Sequence, residues 1–253
     1  MTLETSARTL LRCLDLTSLN DGDSVESTAA LCAKAQTPHG HVAAVCVWPR
    51  FVAQARAALP PAIKVAAVAN FPDGALNLTR ALADIDAIAQ AGAQEIDVVL
   101  PYRALMAQET QEVAEFLSEV RHASRPLTLK VIIESGELKD EALIRRATQL
   151  CLNAGADFIK TSTGKTPVSA TLEAARAMLE EIQHSGLHAA GFKASGGIRT
   201  VAQGADYLAL AEQILGAAAL QPERLRFGAS GLLDDILAVL SGQGGAVSAQ
   251  GSY

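Results

Sequence analysis

The sequence has few of the residues that build disulfide frameworks, metal centres and aromatic surfaces. Of its 253 residues, 4% are aromatic, five are histidine and four are cysteine. The cysteines are scattered and form no C-x-x-C pair, so we expect reduced, mostly buried thiols in a cytoplasmic protein. His39 and His41 form a close pair, but no carboxylate or cysteine stands near them at metal-ligand spacing. We therefore expect no metal site.

The sequence also lacks a long apolar run and an excess of basic charge. No run approaches the roughly 18 apolar residues that a membrane span needs, and residues 1–4 lack the basic and then apolar pattern of a signal peptide. The formal net charge is −6, which argues against nucleic acid or a membrane surface as the main partner. A small anionic substrate is still allowed, because a local cluster of lysines can override the overall sign.

Apolar runs of strand length alternate with helical patterns along nearly the whole chain. Strands are predicted at 14–19, 42–48, 64–70, 95–100, 127–134, 157–163, 191–197 and 225–230. Helices are predicted at 3–13, 25–36, 51–59, 78–91, 103–123, 140–154, 171–184, 201–215 and 232–240. The pattern predicts a single α/β domain over 1–240, a (β/α)₈ TIM barrel with an extra N-terminal helix. A doubly wound open sheet is the alternative, but no G-x-G-x-x-G turn follows an early strand.

Six charged residues interrupt strands that are otherwise apolar. They are Asp15, Asp97, Lys130, Glu134, Lys160 and Lys193. Strand alternation places Asp97 on a face with Glu95, Lys160 with Ser162, and Lys193 with Ser195. If those faces point into the barrel, the lysines and aspartates converge near its axis. Any single one could form a structural ion pair, but the set favours an active site because buried charges are unfavourable.

A lysine on a buried strand must find a partner or lose its proton. Keeping two close ammonium groups both charged is unfavourable, so the pKa of one of them falls and its free-amine form is favoured. A free amine forms Schiff bases with carbonyl substrates. Lys160 is the candidate nucleophile, with a structural lysine as the alternative. The carboxylate of Asp97 can hold the other lysine charged and pass protons.

Three glycine-containing loops follow the last three predicted strands. They contain Gly164 and Lys165, then Gly196 and Gly197, then Ser230. Such loops expose backbone N–H groups, and the last of them does so at the start of a helix. One loop of this kind is weak evidence, whereas three in succession predict a phosphate site.

Seven motifs resemble those of the class I deoxyribose-phosphate aldolases, in order along nearly the whole chain. They are Leu-Asp-Leu-Thr-Ser-Leu-Asn (14–20), Ala-Val-Cys-Val-Trp-Pro-Arg-Phe (44–51), Glu-Ile-Asp-Val-Val-Leu-Pro-Tyr-Arg-Ala-Leu (95–105), Lys-Val-Ile-Ile-Glu-Ser-Gly-Glu-Leu-Lys-Asp-Glu (130–141), Asp-Phe-Ile-Lys-Thr-Ser-Thr-Gly-Lys (157–165), Gly-Phe-Lys-Ala-Ser-Gly-Gly-Ile-Arg-Thr (191–200) and Phe-Gly-Ala-Ser (227–230). The resemblance implies a barrel that reversibly cleaves 2-deoxy-D-ribose 5-phosphate to glyceraldehyde 3-phosphate and acetaldehyde, with no cofactor or metal.

The resemblance also implies roles for individual residues. Lys160 is the Schiff-base lysine, Lys193 lowers its pKa, Asp97 belongs to the proton relay, and Asp15 lies near a substrate hydroxyl. The residues expected to contact phosphate are Gly164, Lys165, Gly196, Gly197 and Ser230. Ala194-Ser195 stands where some members have Pro-Ala, and Gly231 stands where many have a second serine, which removes one hydroxyl from the phosphate site.

The end of the chain, residues 241–253, has the composition of a flexible tail and ends in Tyr253. A disordered terminus is the default expectation for such a tail. The resemblance implies instead that it folds transiently over the barrel mouth and brings the Tyr253 phenol into the site.

Two other classes of function stay open from the residues alone. A metal-dependent or enediolate-type barrel enzyme would require His and carboxylate ligands or a single catalytic Glu. A regulator that binds sugar phosphate without catalysis would not require a free-amine lysine. The sequence does not determine the oligomeric state, for which a homodimer is our working expectation.

Overall fold

A computed structural model describes residues 1–243 of the chain. The expectations for residues 244–253, including the role of Tyr253, lie outside the described residues.

The strands occur at or close to the positions that the sequence predicts. In chain order they are β1 (Leu14–Thr17), β2 (Gln36–Thr37), β3 (Gly40–His41), β4 (Ala44–Val47), β5 (Lys64–Ala69), β6 (Glu95–Val99), β7 (Thr128–Ile132), β8 (Phe158–Lys160), β9 (Gly191–Ser195) and β10 (Leu225–Ala229). The short strands β2 and β3 form an antiparallel hairpin that the sequence pattern did not predict.

The other eight strands form a closed parallel barrel. The ladder runs from β1 through β4, β5, β6, β7, β8 and β9 to β10, which pairs again with β1. Closure is visible at Asp15, which lies opposite Ala44 on one side and Gly228 on the other. The predicted (β/α)₈ barrel is therefore confirmed, and the open sheet is excluded.

Helices follow the strands and surround the barrel. In chain order they are α1 (Leu3–Arg12), α2 (Val25–Lys34), α3 (Val52–Ala58), α4 (Leu78–Gln90), α5 (Tyr102–Met106), α6 (Thr110–Ala123), α7 (Ser135–Leu138), α8 (Glu141–Asn153), α9 (Leu172–His184), α10 (Val201–Leu215) and α11 (Leu232–Leu240). Short 3₁₀ turns occupy Pro49–Phe51 and Ala217–Ala219. The extra N-terminal helix α1 packs against α10 and α11.

Side-chain caps fix several helix starts. Ser24 and Ser27 form a capping box at α2, and Thr200 and Gln203 form one at α10. Each box satisfies two backbone N–H groups that have no partner within the helix. Ser24 belongs to a polar turn at 20–24 that precedes α2.

Side chains alternate along each strand, so the outward face of the barrel is apolar, and the inward face has an apolar part and an ionic part. Outward side chains pack in the main core against the helices; they include Leu14, Val45, Val98, Val131, Ile159 and Phe192. The inward side chains of β4 and β5, namely Cys46, Ala66 and Val68, form a small separate apolar cluster. Each of the other six barrel strands places at least one buried charged side chain inside. The barrel interior therefore has a smaller apolar part at β4 and β5 and a larger ionic part along the other six strands.

Other segments also differ from the sequence-based expectation. The helix predicted over 103–123 is interrupted between α5 and α6, where Gln108 has a φ of 67°. A left-handed residue with a side chain is uncommon, and no glycine or proline marks the interruption. The strand predicted over 157–163 ends at Lys160, so Thr161 to Thr163 belong to the loop that follows.

Candidate active site

Asp97 is the centre of the ionic part of the barrel interior. Its Oδ2 accepts hydrogen bonds from Nζ of Lys160 at 2.8 Å and from Nζ of Lys193 at 2.7 Å. Its Oδ1 accepts a hydrogen bond from Nζ of Lys130 at 2.9 Å. All four residues are at most 2% exposed. The structure thus brings Lys160, Lys193 and Asp97 together inside the barrel, as strand alternation predicts.

Asp15 extends this arrangement on the side of β1. Its Oδ2 accepts a hydrogen bond from Nζ of Lys193 at 2.5 Å, and its Oδ1 accepts one from Nη1 of Arg226 at 2.6 Å. Arg226 also donates to both carboxylate oxygens of Glu95, at 2.8 and 3.1 Å. Glu95 and Arg226 lie on β6 and β10, which are not neighbouring strands, so this contact crosses the barrel interior.

The cluster contains more cations than anions. Its members are the cations Lys130, Lys160, Lys193 and Arg226 and the anions Asp15, Glu95 and Asp97. With every group ionised it would carry one excess positive charge. Because an uncompensated charge is unfavourable away from water, one cation is expected to give up its proton.

The pKa directions identify Lys160 as that cation. Burial lowers the pKa of Lys160, and the nearby Lys193 ammonium lowers it further, although Asp97 opposes both effects. Burial also acts on Lys193, but Asp15 and Asp97 outweigh it and raise the pKa of that lysine. Lys160 is therefore the lysine nearer to a free amine, and Lys193 stays an ammonium.

Asp97 and Asp15 stay ionised. Burial alone would raise the pKa of Asp97, but Lys130, Lys160 and Lys193 together hold it well below its usual range. Burial likewise opposes ionisation of Asp15, yet Lys193 and Arg226 keep its pKa below the usual range. Asp97 is thus an anion between two lysines, in a position to move protons between them.

Cys46 lies at the boundary between the apolar part and the ionic part of the barrel interior. Burial raises the pKa of its thiol to about 11, and Asp97 adds to the effect. The side chain packs with Leu19, Ala66 and Val68. Cys46 is therefore a neutral, apolar part of the barrel lining, as we expected for the buried thiols.

The loops after the last three barrel strands line one cleft of about 580 Å³. All five residues expected to contact phosphate line it: Gly164, Lys165, Gly196, Gly197 and Ser230. Arg199 also lines this cleft and adds a cation for which the sequence pattern predicted no role. The C-terminal ends of barrel strands are where active sites of this fold lie.

Backbone conformation explains the glycine at position 196. Gly196 has a φ of 83°, and a Cβ atom there would lie 2.5 Å from Oγ of Ser169. A larger residue would therefore be strained and would displace the loop. Gly231, at the start of α11, makes no side-chain cap, so the first N–H groups of this helix are not satisfied by a cap.

Glu134 anchors the loop that carries Gly164 and Lys165. Its fully buried carboxylate accepts hydrogen bonds from Oγ1 of Thr163 at 2.5 Å, from the backbone N of Thr163 at 3.3 Å and from Oγ1 of Thr166 at 3.2 Å. Oγ1 of Thr163 in turn accepts from the backbone N of Lys165 at 3.0 Å. The side chain of Glu134 thus fixes both ends of the segment 163–166.

The part of the chain that the structure describes contains neither a metal-type cluster nor a membrane helix. Within residues 1–243, no three His, Cys, Asp or Glu side chains are grouped so that they could hold a metal ion. No helix in these residues combines the length and the apolar character that crossing a bilayer requires. The buried carboxylates Asp15, Glu95 and Asp97 are paired with lysine and arginine instead.

Glu95, Arg226 and Glu134 all hold parts of this site in place. The sequence pattern includes Glu134 among the charged strand residues but predicts no specific role for any of the three. Arg226 could have been found by alternation, since it precedes Gly228 by two positions on β10. Its pairing with Glu95, 131 positions away, has no local signal.

Comparisons with known proteins agree with this arrangement. The model of the DeoC/LacD family of aldolases matches residues 9–235. A deoxyribose-phosphate aldolase of Agrobacterium fabrum (strain C58 / ATCC 33970) is 50% identical over 249 residues, which cover 97% of this chain and 96% of the relative.

Solved structures share the fold. One is an apo crystal structure of a Toxoplasma gondii ME49 protein provisionally described as a deoxyribose-phosphate aldolase. It has a TM-score of 0.86 and 27% identity, covering 95% of this chain and 97% of that one. A tetrameric deoxyribose phosphate aldolase from Aeropyrum pernix has a TM-score of 0.73 at 21% identity, covering 94% and 97% of the two chains, and shows the fold alone. Because the family model covers most of its length, the chain belongs to the DeoC/LacD family of aldolases.

Proposed function

We propose that this protein is a class I aldolase that reversibly cleaves 2-deoxy-D-ribose 5-phosphate to D-glyceraldehyde 3-phosphate and acetaldehyde. The observation that carries the proposal is Lys160, a buried lysine with a lowered pKa whose Nζ lies 2.8 Å from Oδ2 of Asp97. A lysine of this kind is a nucleophile toward a carbonyl group. The name of the Agrobacterium fabrum relative supports the choice of sugar phosphate.

The first step is imine formation on Lys160. The free amine attacks the C1 aldehyde of the ring-opened sugar phosphate and forms a new C–N bond. The carbinolamine oxygen takes up a proton and leaves as water, which gives a protonated imine. Proton donors and acceptors must stand beside Nζ for this exchange, and the Lys193 ammonium and the Asp97 carboxylate do so.

The second step is cleavage of the bond between C2 and C3. The C3 hydroxyl loses its proton to a base, and the electrons of the C2–C3 bond move into the protonated imine. Glyceraldehyde 3-phosphate leaves, and an enamine remains on Lys160. Protonation at C2 and hydrolysis of the imine then release acetaldehyde and restore the free amine.

The neighbours of Lys160 have separate roles in this proposal. Lys193 keeps its own charge and favours the neutral form of Lys160. Asp97 accepts and returns protons between the two lysines. Asp15 holds Lys193 at 2.5 Å and lies on the side of the substrate hydroxyl. This division of roles is supported by the opposite pKa directions of the two lysines.

The cleft at the C-terminal end of the barrel is the proposed phosphate site. Gly164, Gly196 and Gly197 provide backbone N–H groups, Ser230 provides a hydroxyl, and Lys165 provides a cation. Binding the phosphate away from the reacting carbons positions C1 against Lys160 and contributes affinity that does not depend on the chemistry.

Three further expectations stay predictions. We propose a cytoplasmic location, which the four unpaired cysteines support. A homodimer and a catalytic role for Tyr253 follow from the sequence-based expectation only.

Product analysis tests the proposed reaction. The protein is incubated with 2-deoxy-D-ribose 5-phosphate, and acetaldehyde and glyceraldehyde 3-phosphate are measured separately. We expect both products in equal amounts, and neither product from Lys160→Met. D-ribose 5-phosphate serves as the control substrate. Equal turnover of wild type and Lys160→Met, or release of only one product, would contradict the proposal.

A further inference from the structure

Beneath the proposed active site lies a group of three charged residues, Glu95, Lys130 and Arg226, which we name the supporting ion cluster. We propose that this cluster sets the protonation state of Lys160 by charge balance, so that its members are positioning residues for the Schiff-base lysine. The proposal rests on the proposed function of Lys160. It adds a means of control to residues that have no assigned role.

Geometry provides the first argument. Nζ of Lys130 lies 2.6 Å from Glu95, 2.9 Å from Oδ1 of Asp97 and 3.6 Å from Asp15, so one ammonium bridges three carboxylates. Because Lys130 occupies Oδ1, both Lys160 and Lys193 donate to the other oxygen of Asp97. Lys130 therefore takes one oxygen of Asp97, and Lys160 and Lys193 share the other.

Arg226 and Glu95 complete the arrangement. The Arg226 guanidinium binds both oxygens of Glu95 and one oxygen of Asp15. The positive charge of Arg226 thereby offsets part of the negative charge that Glu95 and Asp15 present to the lysines. All three members are at most 6% exposed, so water screens these charges little.

Charged and titratable groups approach Lys160 from every side of the barrel interior. They are Asp97 on β6, Lys193 on β9, Lys130 on β7, Glu134 after β7, Cys46 on β4, Asp15 on β1, and Glu95 and Arg226 behind them.

Most of these groups hold their protonation state. Burial opposes the charge of Lys130 and Arg226, but the carboxylates around them raise the pKa of both. Burial raises the pKa of the Cys46 thiol to about 11, so it stays neutral. Of Lys130, Lys160 and Lys193, it is Lys160 whose proton responds to a change in the charge around it.

Charge balance predicts opposite effects for two substitutions. Glu134, whose carboxylate is held by Thr163 and Thr166, is the same in both variants and is left out of the count. Lys130→Met then leaves three cations beside three anions, so a protonated Lys160 is better compensated and its pKa rises. Glu95→Gln leaves four cations beside two anions, so the pKa of Lys160 falls. A purely structural role would weaken both variants without giving the two shifts opposite signs.

The test measures the protonation of Lys160 through its reaction with acetaldehyde. Each protein is treated with acetaldehyde and cyanoborohydride over a range of pH, and the initial rate of labelling at Lys160 is measured by peptide mass mapping. An opposite charge within about 4–6 Å moves a pKa by about 1–3 pH units, and a like charge acts in the opposite direction. We expect the midpoint for Lys130→Met to move up by about one pH unit relative to wild type, and that for Glu95→Gln to move down by a smaller amount.

Two controls accompany these variants. Lys130→Arg keeps the positive charge, and its midpoint should stay near that of wild type. Lys64→Met removes an exposed lysine at the start of β5 and should leave the midpoint unchanged. Circular dichroism reports whether each variant is folded; if Lys130→Met is not, Glu95→Gln and Lys130→Arg decide the question.

The possible results are distinguishable. If wild type is not labelled at Lys160, the proposed function itself fails. If wild type is labelled but Glu95→Gln leaves the midpoint unchanged or raises it, only the role of the supporting ion cluster is overturned. A downward shift in Glu95→Gln, with Lys130→Arg near wild type, supports the proposal.

Discussion

Lys160 and Lys193 lie opposite each other on β8 and β9, and both donate to the same oxygen, Oδ2 of Asp97. Two ammonium groups on one acceptor repel each other, so the lysine with the lowered pKa releases its proton more readily. Lys193 has a second carboxylate partner in Asp15, which Lys160 does not share. In our proposal, this asymmetry separates the nucleophile from the lysine that stays charged, although both lie on neighbouring strands.

Removing the Lys193 cation should change the pH dependence of turnover. In Lys193→Leu, Lys160 loses a repelling charge and keeps its proton to higher pH. We expect turnover at neutral pH to fall at least tenfold, since each pH unit of a base's pKa corresponds to about a tenfold change in the free amine. The pH profile of kcat/KM should move upward. The exposed Lys34→Leu is the control, and lost activity with an unshifted profile would assign Lys193 to positioning instead.

Lys165 should affect substrates that carry a phosphate. It lines the cleft that we propose for the phosphate, so we expect its cation to interact with the dianion and not with C1. In Lys165→Ala, we expect KM for 2-deoxy-D-ribose 5-phosphate to rise about tenfold or more, while kcat/KM for unphosphorylated deoxyribose changes little. Lys34→Ala serves as the surface control. Equal losses with both substrates would place Lys165 outside the phosphate site.

Glu134 should affect binding through the loop 163–166. Glu134→Gln keeps the shape of the side chain but turns an NH₂ group toward donors on Thr163 and Thr166. Removing one partner of a buried hydrogen bond costs about 1–3 kcal/mol. We expect a lower Tm and a higher KM for the sugar phosphate, with acetaldehyde labelling of Lys160 retained. A Tm and KM equal to those of wild type would show that the loop does not depend on Glu134.

Lys160 should lower the free energy of unfolding at neutral pH. Because its folded pKa is lowered, the unfolded chain binds more protons between that pKa and about 10.4. The penalty is complete below the folded pKa and disappears as pH rises to the unfolded value.

Lys160→Met removes this penalty and leaves Asp97 paired with Lys130 and Lys193. We expect its Tm at pH 7 to exceed that of wild type by a few degrees, since about 1 kcal/mol corresponds to about 2–4 °C in a chain of this size. The difference should shrink as pH approaches 10. Calorimetry at pH 7 and pH 9.5 measures it, and a lower Tm for Lys160→Met at pH 7 would contradict this account.

The sequence predicts the parts of this molecule that depend on local pattern. Apolar runs fix all eight barrel strands, and period-two alternation is enough to turn Asp97, Lys160 and Lys193 to the inside. The interruption near Gln108 was not predicted, because it depends on a left-handed residue with no glycine or proline.

Contacts between residues far apart in the chain are the second kind of feature that the sequence pattern does not predict. The link from Arg226 to Glu95 crosses the barrel between strands that are not neighbours, so it exists only once the sheet has closed. The choice of Lys160 over Lys130 and Lys193 as the free amine depends on how many carboxylates each one meets. Neither spacing nor composition contains that information.

The central claim is that Lys160 forms the Schiff base. The measurement is intact mass and peptide mapping after treatment with acetaldehyde and borohydride, with Lys193→Leu and Lys160→Met in parallel. We predict the addition of one ethyl group per chain, located on Lys160 and lost in Lys160→Met. An ethyl group located on Lys193, Lys130 or Lys165 in the wild-type protein would contradict the account.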